Sequence, residues 1–223
     1  TVTATDLAGN VGTDTGAVTI DTIPADLIGA ITVPDDLNGD GILNATELGA
    51  DGSFDAQVAL GPDAAVGTVV TVNGTNYTVT AADLVNGFIT AAIAVAADGS
   101  ITIHAEAVDA QGNIDSADSS VTIDITHPDI TTAAIAINAI TGDNILDAAE
   151  VSGTVTLTGT LTIPADAVIT SVQVNVNATN YTALVDPLTS TWSIGVLGSQ
   201  LAADTDLTIE AIATFTDTAG NSS

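Results

Sequence analysis

The sequence predicts an all-β protein made of tandem sandwich domains, and three observations predict it. Thr and Val are abundant while aromatics make up 3% of the 223 residues, so the cores must be assembled from Val, Ile, Leu and Ala, and strands are favoured over helices. Short runs of strand character recur at regular spacing, with Gly, Asn and Asp between them. The chain also repeats itself at about one domain length.

The repeat is read from matched motifs. Asp6-Leu-Ala-Gly-Asn10 returns as Asp109-Ala-Gln-Gly-Asn113, displaced by 103, and again as Asp217-Thr-Ala-Gly-Asn221, a further 108 residues on. Val18-Thr-Ile-Asp21 before Pro24 recurs as Val121-Thr-Ile-Asp124 before Pro128, and Val72-Asn-Gly-Thr-Asn-Tyr77 as Val176-Asn-Ala-Thr-Asn-Tyr181. In this register residues 1–21 are the last two strands of a preceding repeat, 22–125 a complete repeat, and 126–223 a repeat lacking its final strand.

Taken in order, 1–6 and 11–20 are the strands of the first fragment. The complete repeat has strands near 28–33, 53–60, 67–73, 75–81, 88–95, 100–108 and 116–124. The next has them near 130–137, 152–162, 168–177, 179–185, 190–197 and 206–216. Seven strands in about 100 residues suggest an immunoglobulin-like sandwich, so the expected architecture is an elongated array of such domains. Phe88 and Trp192 fall at equivalent places, as do Tyr77 and Tyr181, and core filling is the reading for all four. The junctions Asp21–Pro24 and Asp124–Pro128 are too brief for flexible tethers, and each proline restricts its neighbourhood, so they read as stiff joints. A two-strand hairpin is marginal alone in water. Residues 1–20 therefore need a neighbour, either the rest of their own domain or strand complementation with another copy.

Charge narrows the chemistry. There is no Lys or Arg against 28 Asp and Glu, a formal net charge of −28. No conventional salt bridge forms, so every carboxylate must be solvated, accept hydrogen bonds or bind a cation, and self-repulsion opposes a compact state. The same charge argues against nucleic acid and anionic membrane as partners. No run approaches the roughly 20 apolar residues that span a bilayer, which argues against membrane insertion. Without cysteine there is no disulfide, thiolate metal site or Cys nucleophile. Without Lys or Arg, phosphate handling and Schiff-base chemistry are excluded, and no serine has a paired His in a recognisable motif. His104 and His127 lack a second His or a Cys at metal spacing, which argues against zinc. Catalysis is not expected.

The most specific stretch is Asp36-Leu-Asn-Gly-Asp-Gly-Ile-Leu-Asn-Ala-Thr-Glu47. It fits the twelve-residue calcium-loop pattern, with Asp36, Asn38 and Asp40 at places one, three and five, Gly41 at six and Glu47 at twelve. Calcium takes hard oxygens, so alternate side chains, the Ile42 carbonyl and a closing Glu47 can converge, while Asn44 acts directly or through water. A compatible structural reading exists: Asn44 followed by Glu47 is also a capping box, with Gly49 to end a short helix. The flanking helices of an EF-hand are missing, since Leu27–Val33 alternates like a strand and Gly49, Asp51, Gly52 and Ser53 break a downstream helix. The second copy, 139–150, has Ala139 and Thr141 at places one and three but keeps Asp143, Asp147 and Glu150. It should bind more weakly or take donors from a neighbouring domain. The Asp-x-x-Gly-Asn segments read as tight turns or as metal donors. In a sandwich of this type the Asp217–Asn221 turn, Asp124 and the Asp36–Glu47 loop would converge at one joint.

These motifs resemble a known family. Val-Thr-Ile-Asp before Pro, Asp-Gly-Ile-Leu-Asn-Ala-x-Glu, and Asp-x-Ala-Gly-Asn look like the tandem bacterial immunoglobulin-like repeats in the extender region of giant RTX-type adhesins, across essentially the whole chain. The resemblance implies type I secretion, a location at the bacterial cell surface, and roles in cell adhesion and biofilm. It implies neighbouring repeats of the same polypeptide as partners, and calcium ions that rigidify a spacer holding an adhesive tip away from the cell. Carried onto this sequence, the implied ligands are Asp36, Asp40 and Glu47, the linker acids Asp21 and Asp124, and the turn acids Asp6, Asp109 and Asp217. The rival reading is a glycan- or protein-binding module with calcium confined inside each domain.

Overall fold

The computed structural model describes residues 1–223 apart from Thr19 and Pro24. Pro24 of the first linker, and Thr19 within the expected strand 11–20, lie outside the described residues. In chain order the elements are β1 (Val2–Thr5), β2 (Val11–Asp14), β3 (Ile28–Thr32), β4 (Ile42–Leu43), α1 (Ala45–Leu48), β5 (Ser53–Leu60), β6 (Val69–Val72), β7 (Thr75–Thr78), α2 (Ala81–Asn86), β8 (Phe88–Ala94), β9 (Gly99–Val108) and β10 (Ile114–Ile123). They continue with a 3-10 turn (Ile130–Thr132), β11 (Ala134–Ile137), α3 (Ala148–Val151), β12 (Thr154–Thr162), β13 (Val168–Val176), β14 (Thr179–Thr182), β15 (Leu184–Asp186), β16 (Thr191–Leu197), α4 (Gly198–Ala202) and β17 (Glu210–Thr216). The all-β, immunoglobulin-like reading is borne out. Among the described residues no helix is long and apolar enough to cross a membrane.

Two compact units account for the contacts, one of residues 1–32, 56–91 and 102–119, the other of 33–55, 92–101 and 120–223. Within the first, β1 and β2 form an antiparallel pair whose residues are all exposed. β3 pairs antiparallel with β5, and β6 with both β7 and β9. The β6–β7 hairpin turns at Asn73 and Gly74, both at positive φ, the geometry a two-residue hairpin turn needs.

In the second unit, sheets β11-β12-β16-β15 and β14-β13-β17 enclose one core. Alternation along β12 and β13 puts Val155, Leu157 and Leu161 from one sheet against Val172, Val174 and Val176 from the other, with Trp192 of β16 among them. Burying each of these side chains contributes about 1.5–3 kcal/mol. The β13–β14 hairpin repeats the β6–β7 register: Val174 stands opposite Tyr181 as Val70 stands opposite Tyr77. Both tyrosines are half-buried. Ala178 keeps the positive φ of Gly74, at 56°.

Several expected elements change. The run 75–81 stops at Thr78 because Thr80 caps α2, its hydroxyl accepting from the Asp83 N–H. The run 179–185 divides, β14 pairing with β13 and β15 with β16, so the chain crosses between sheets at Ala183. β17 begins at Glu210, after Asp206 Oδ1 folds back onto the Thr208 N–H. The run 130–137 opens with the 3-10 turn before β11 begins at Ala134. β4 is an addition, pairing parallel to the end of β10 through Ile42–Thr122 and Leu43–Ile123. Finally, Phe88 is half-buried at the start of β8, and the residue that matches Trp192 in burial phase is Ile89.

Candidate calcium loop and its joint

The Asp36–Glu47 segment folds as a loop closed on its own N–H groups. Asp36 Oδ1 accepts from Gly39 N at 2.8 Å and Asp40 N at 3.2 Å, and its Oδ2 from Gly41 N at 2.9 Å. Asn38 Oδ1 accepts from Asp40 N at 2.9 Å, and Asp40 Oδ1 from Ile42 N at 2.8 Å. Gly41 takes φ +79°, the left-handed turn that brings these donors round. Glu47 returns to the start of the loop, its Oε1 accepting from Leu37 N at 3.2 Å. First and last acids therefore act on one six-residue stretch.

The capping-box reading and the loop reading coexist. Asn44 is the N-cap of α1: its Oδ1 accepts from Thr46 N and Glu47 N, while Glu47 Oε2 accepts from Asn44 N at 3.2 Å. Gly49 ends the helix at φ 71°. With its oxygen on two N–H groups, Asn44 acts as the cap. The donor set Asp36, Asn38, Asp40 and Glu47 fits calcium chemically, being all hard oxygen on a loop of the right length. Among the described residues, no three His, Asp or Glu side chains gather round one point.

The second copy keeps the helix and loses the front of the loop. Asp147 caps α3, accepting from Ala149 N and Glu150 N, and Glu150 Oε2 accepts from Asp147 N at 2.9 Å. Asp143 Oδ1 accepts from Ile145 N at 2.9 Å. Asn144 Oδ1 accepts from Ile140 N at 2.8 Å.

Each Asp-x-x-Gly-Asn segment is the same self-bonded turn. The Asp Oδ1 accepts two N–H groups and its Oδ2 accepts the Asn amide: Ala8 N, Asn10 N and Asn10 Nδ2 for Asp6; Gln111 N, Asn113 N and Asn113 Nδ2 for Asp109; Ala219 N, Asn221 N and Asn221 Nδ2 for Asp217, all at 2.8–3.0 Å. The Asn side chain holds Asp6 and Asp109 below the ordinary carboxylate range, with the turn N–H groups adding to it.

The terminal Asn then reaches beyond its turn. Asn221 Nδ2 donates to the Asp124 carbonyl at 2.8 Å, and its Oδ1 accepts from Ala45 N, the first residue of α1, at 2.8 Å. Asn44 Nδ2 donates to the Ala219 carbonyl at 3.0 Å. Asn113 Nδ2 faces the Ile23 carbonyl at 3.4 Å. Loop, linker and turn do converge, as the repeat register predicts. What joins them is the amides of Asn44 and Asn221, with Asp124 contributing its carbonyl, and its N–H donating to Leu43 O at 3.0 Å.

The linker itself is held by further hydrogen bonds, one set of them to Asp98, which the sequence did not single out. Asp98, in the turn before β9, accepts the Thr126 hydroxyl and, at 2.9 Å, Ile125 N, and the Thr126 bond first, then the Ile125 N–H, holds its carboxyl below the ordinary range. His127 Nδ1 donates to the Ser222 carbonyl at 2.8 Å, and the Ser223 hydroxyl to the Pro128 carbonyl at 3.1 Å. At the other linker Asp21 Oδ1 accepts from Ile23 N at 3.2 Å. The thrice-repeated Asn of the turn motif was the available signal for Asn221, whereas Asp98 carries none.

No protein-family model and no curated protein matches the chain. Among solved structures it is similar to a Ca2+-stabilised adhesin that helps an Antarctic bacterium reach out and bind ice, at 34% identity and TM-score 0.62, over 99% of this chain and 52% of that one. It is similar to a 1.5-MDa bacterial ice-binding adhesin at 29% identity and TM-score 0.59, over 99% of this chain and 69% of that one. A bacterial immunoglobulin-like domain from the M. primoryensis ice-binding adhesin matches at 40% identity and TM-score 0.36, over 40% of this chain and 84% of that one. The chain thus spans about half the length of the first of these. With its repeated turns, capped loops and sandwich sheets, and on its likeness to the first two of these structures, the chain belongs to the tandem bacterial immunoglobulin-like repeats of adhesin extender regions.

Proposed function

We propose that this chain is a non-catalytic spacer of a large surface adhesin, stiffened by calcium, that holds an adhesive domain away from the bacterial cell. The observation that carries this reading is the convergence of the Asp36–Glu47 helix cap, the Asp124 linker and the Asp217–Asn221 turn in one hydrogen-bonded cluster. Asp36, Asn38, Asp40, Glu47 and the Ile42 carbonyl would hold the ion. Asp143, Asp147 and Glu150 would form a weaker second site. Bound calcium supplies positive charge to a chain of net charge −28 that has no Lys or Arg to offset it. Neighbouring repeats of the same polypeptide are the partners, outside the cell. The similarity to a Ca2+-stabilised adhesin supports the choice of ion.

A ligand-binding module has less support. A cavity of about 460 Å³ in the second unit is lined by Ile140, Leu146, Val151, Leu201, Leu207 and Ile209 with Asp204, a lining without the aromatic face that sugar stacking uses. The spacer reading is tested by calcium titration of the full chain with thermal melting. Asp40→Ala and Glu47→Ala should each weaken binding at the loop and lower the melting temperature in calcium, because native-state binding stabilises in proportion to ligand occupancy. Unchanged stoichiometry and melting in both variants would sink it.

A further inference from the structure

The final acid of the loop is tied to the joint by an unbroken series of hydrogen bonds. Glu47 is both place twelve of the loop and the third residue of α1, and its two oxygens accept from Leu37 N and Asn44 N. Asn44 in turn holds the Glu47 N–H with its oxygen and gives its amide to Ala219 O, while Asn221 holds the Ala45 N–H. Asn44 is 7% exposed and Asn221 2%. Bonds made this far from water cannot be exchanged for solvent, so losing one partner leaves the other unsatisfied. Both residues are neutral amides, suited to this role in a chain without Lys or Arg, where side-chain donors are otherwise confined to hydroxyls, Trp192 and two His.

We propose that Asn221 is a positioning residue for the calcium loop: by seating the 217–221 turn on Asn44 and Ala45 it fixes α1 and Glu47 and so raises the loop's affinity for calcium. The inference rests on the reading that the 36–47 loop binds calcium, and it goes beyond it. No ligand need come from both sides of the joint. The neighbour's turn acts through a helix cap, and by linkage calcium tightens the seat by the same factor that the seat tightens calcium. The second copy supplies a natural contrast. Asp147 takes the place of Asn44 and keeps the capping box, but its carboxylate has no N–H to offer a carbonyl like that of Ala219.

The test uses the full chain with calcium as the probe, and combines calorimetric titration with NMR exchange of the Ala45 amide in chelator and in saturating calcium. Asn221→Ala should weaken calcium at the 36–47 loop about fivefold or more, with the number of sites unchanged. In the wild type calcium should slow Ala45 exchange by a comparable factor, and in Asn221→Ala it should not. Circular dichroism in chelator checks folding. If Asn221→Ala unfolds, Asn221→Ser, which keeps a hydroxyl in the turn, carries the same comparison. Wild-type affinity in the folded variant, or Ala45 exchange indifferent to calcium in the wild type, overturns the proposal while leaving the spacer reading intact. If Asp40→Ala and Glu47→Ala both leave the calcium stoichiometry, affinity and melting of the wild type unchanged, the loop reading fails and the coupling fails with it.

Discussion

Gly159 of β12 stands directly opposite Trp192 of β16, and a Cβ at that position would run into the indole ring and the Ala136 carbonyl. The side chain that fills the second core is therefore accommodated by the absence of one across the sheet. Trp192 is 1% exposed, and its Nε1 has no hydrogen-bond partner among the described residues, so packing alone holds it.

Gly159→Ala should destabilise this core by at least the 1–3 kcal/mol typical of overpacking. At roughly 4–8 °C per kcal/mol for a domain of this size, the melting temperature should drop by several degrees or more. A Trp192 fluorescence melt measures it, and an unchanged midpoint would show that the sheet has room that the register denies.

A second prediction concerns pH. His104 Nδ1 lies 2.7 Å from Asp118 Oδ1, and its Nε2 lies 3.7 Å from Glu106 Oε2. The hydrogen bond to Asp118, followed by the charges of Asp118 and Glu106, raises the His104 pKa above its ordinary 6.5. The folded value is the higher one, so the stabilisation is complete below pH 6.5 and is lost as pH rises through the folded pKa. The groups are exposed and the effect on stability is small. An NMR titration should find the His104 pKa falling toward its ordinary value in Asp118→Asn, and no change in that variant would remove Asp118 as the cause.

The third prediction concerns self-association. Val18 and Ile20 are 83% and 80% exposed, while the matching Val121 and Ile123 are 3% and 1% exposed in the core. In the structure β2 ends at Asp14, short of the expected strand 11–20, and we expect residues 11–20 to become strand by completing the edge of a sandwich in another copy, as an uncovered sheet edge invites pairing. Sedimentation at high concentration should detect association that Val18→Asp with Ile20→Asp abolishes. Monomers at every concentration would refute this pairing.

What the sequence made legible was local or periodic. The capping box at Asn44–Glu47 and the three Asp-x-x-Gly-Asn turns close within a few residues, so spacing alone specifies them, whereas the matching box at Asp147–Glu150 emerges only in the structure. Most strands followed from short runs of strand character at regular spacing, with Gly, Asn and Asp between them. The division at Ala183 and the helix after Thr80 did not, because similar Thr-rich runs meet different caps and different partners in the two repeats. The Asn44–Ala219 and Ala45–Asn221 bonds span 175 and 176 residues, and polar residues that bond at such separations carry no periodic signature. The repeat register brought the right segments together, and the hydrogen bonds between them are made by amides and carbonyls that the register does not specify.

Under the proposed function, calcium stiffens this chain at its joint. Without the ion, like-charged carboxylates of the 36–47 loop and those near it repel within a Debye length of about 8–10 Å at moderate salt, so the joint should loosen before the domains unfold. Small-angle X-ray scattering of the full chain in calcium and in chelator tests this most directly. A longer maximum dimension and a rigid profile are expected in calcium, with a shorter dimension and a flexible profile in chelator while circular dichroism still reports folded domains. An identical maximum dimension and flexibility profile in the two conditions would contradict it.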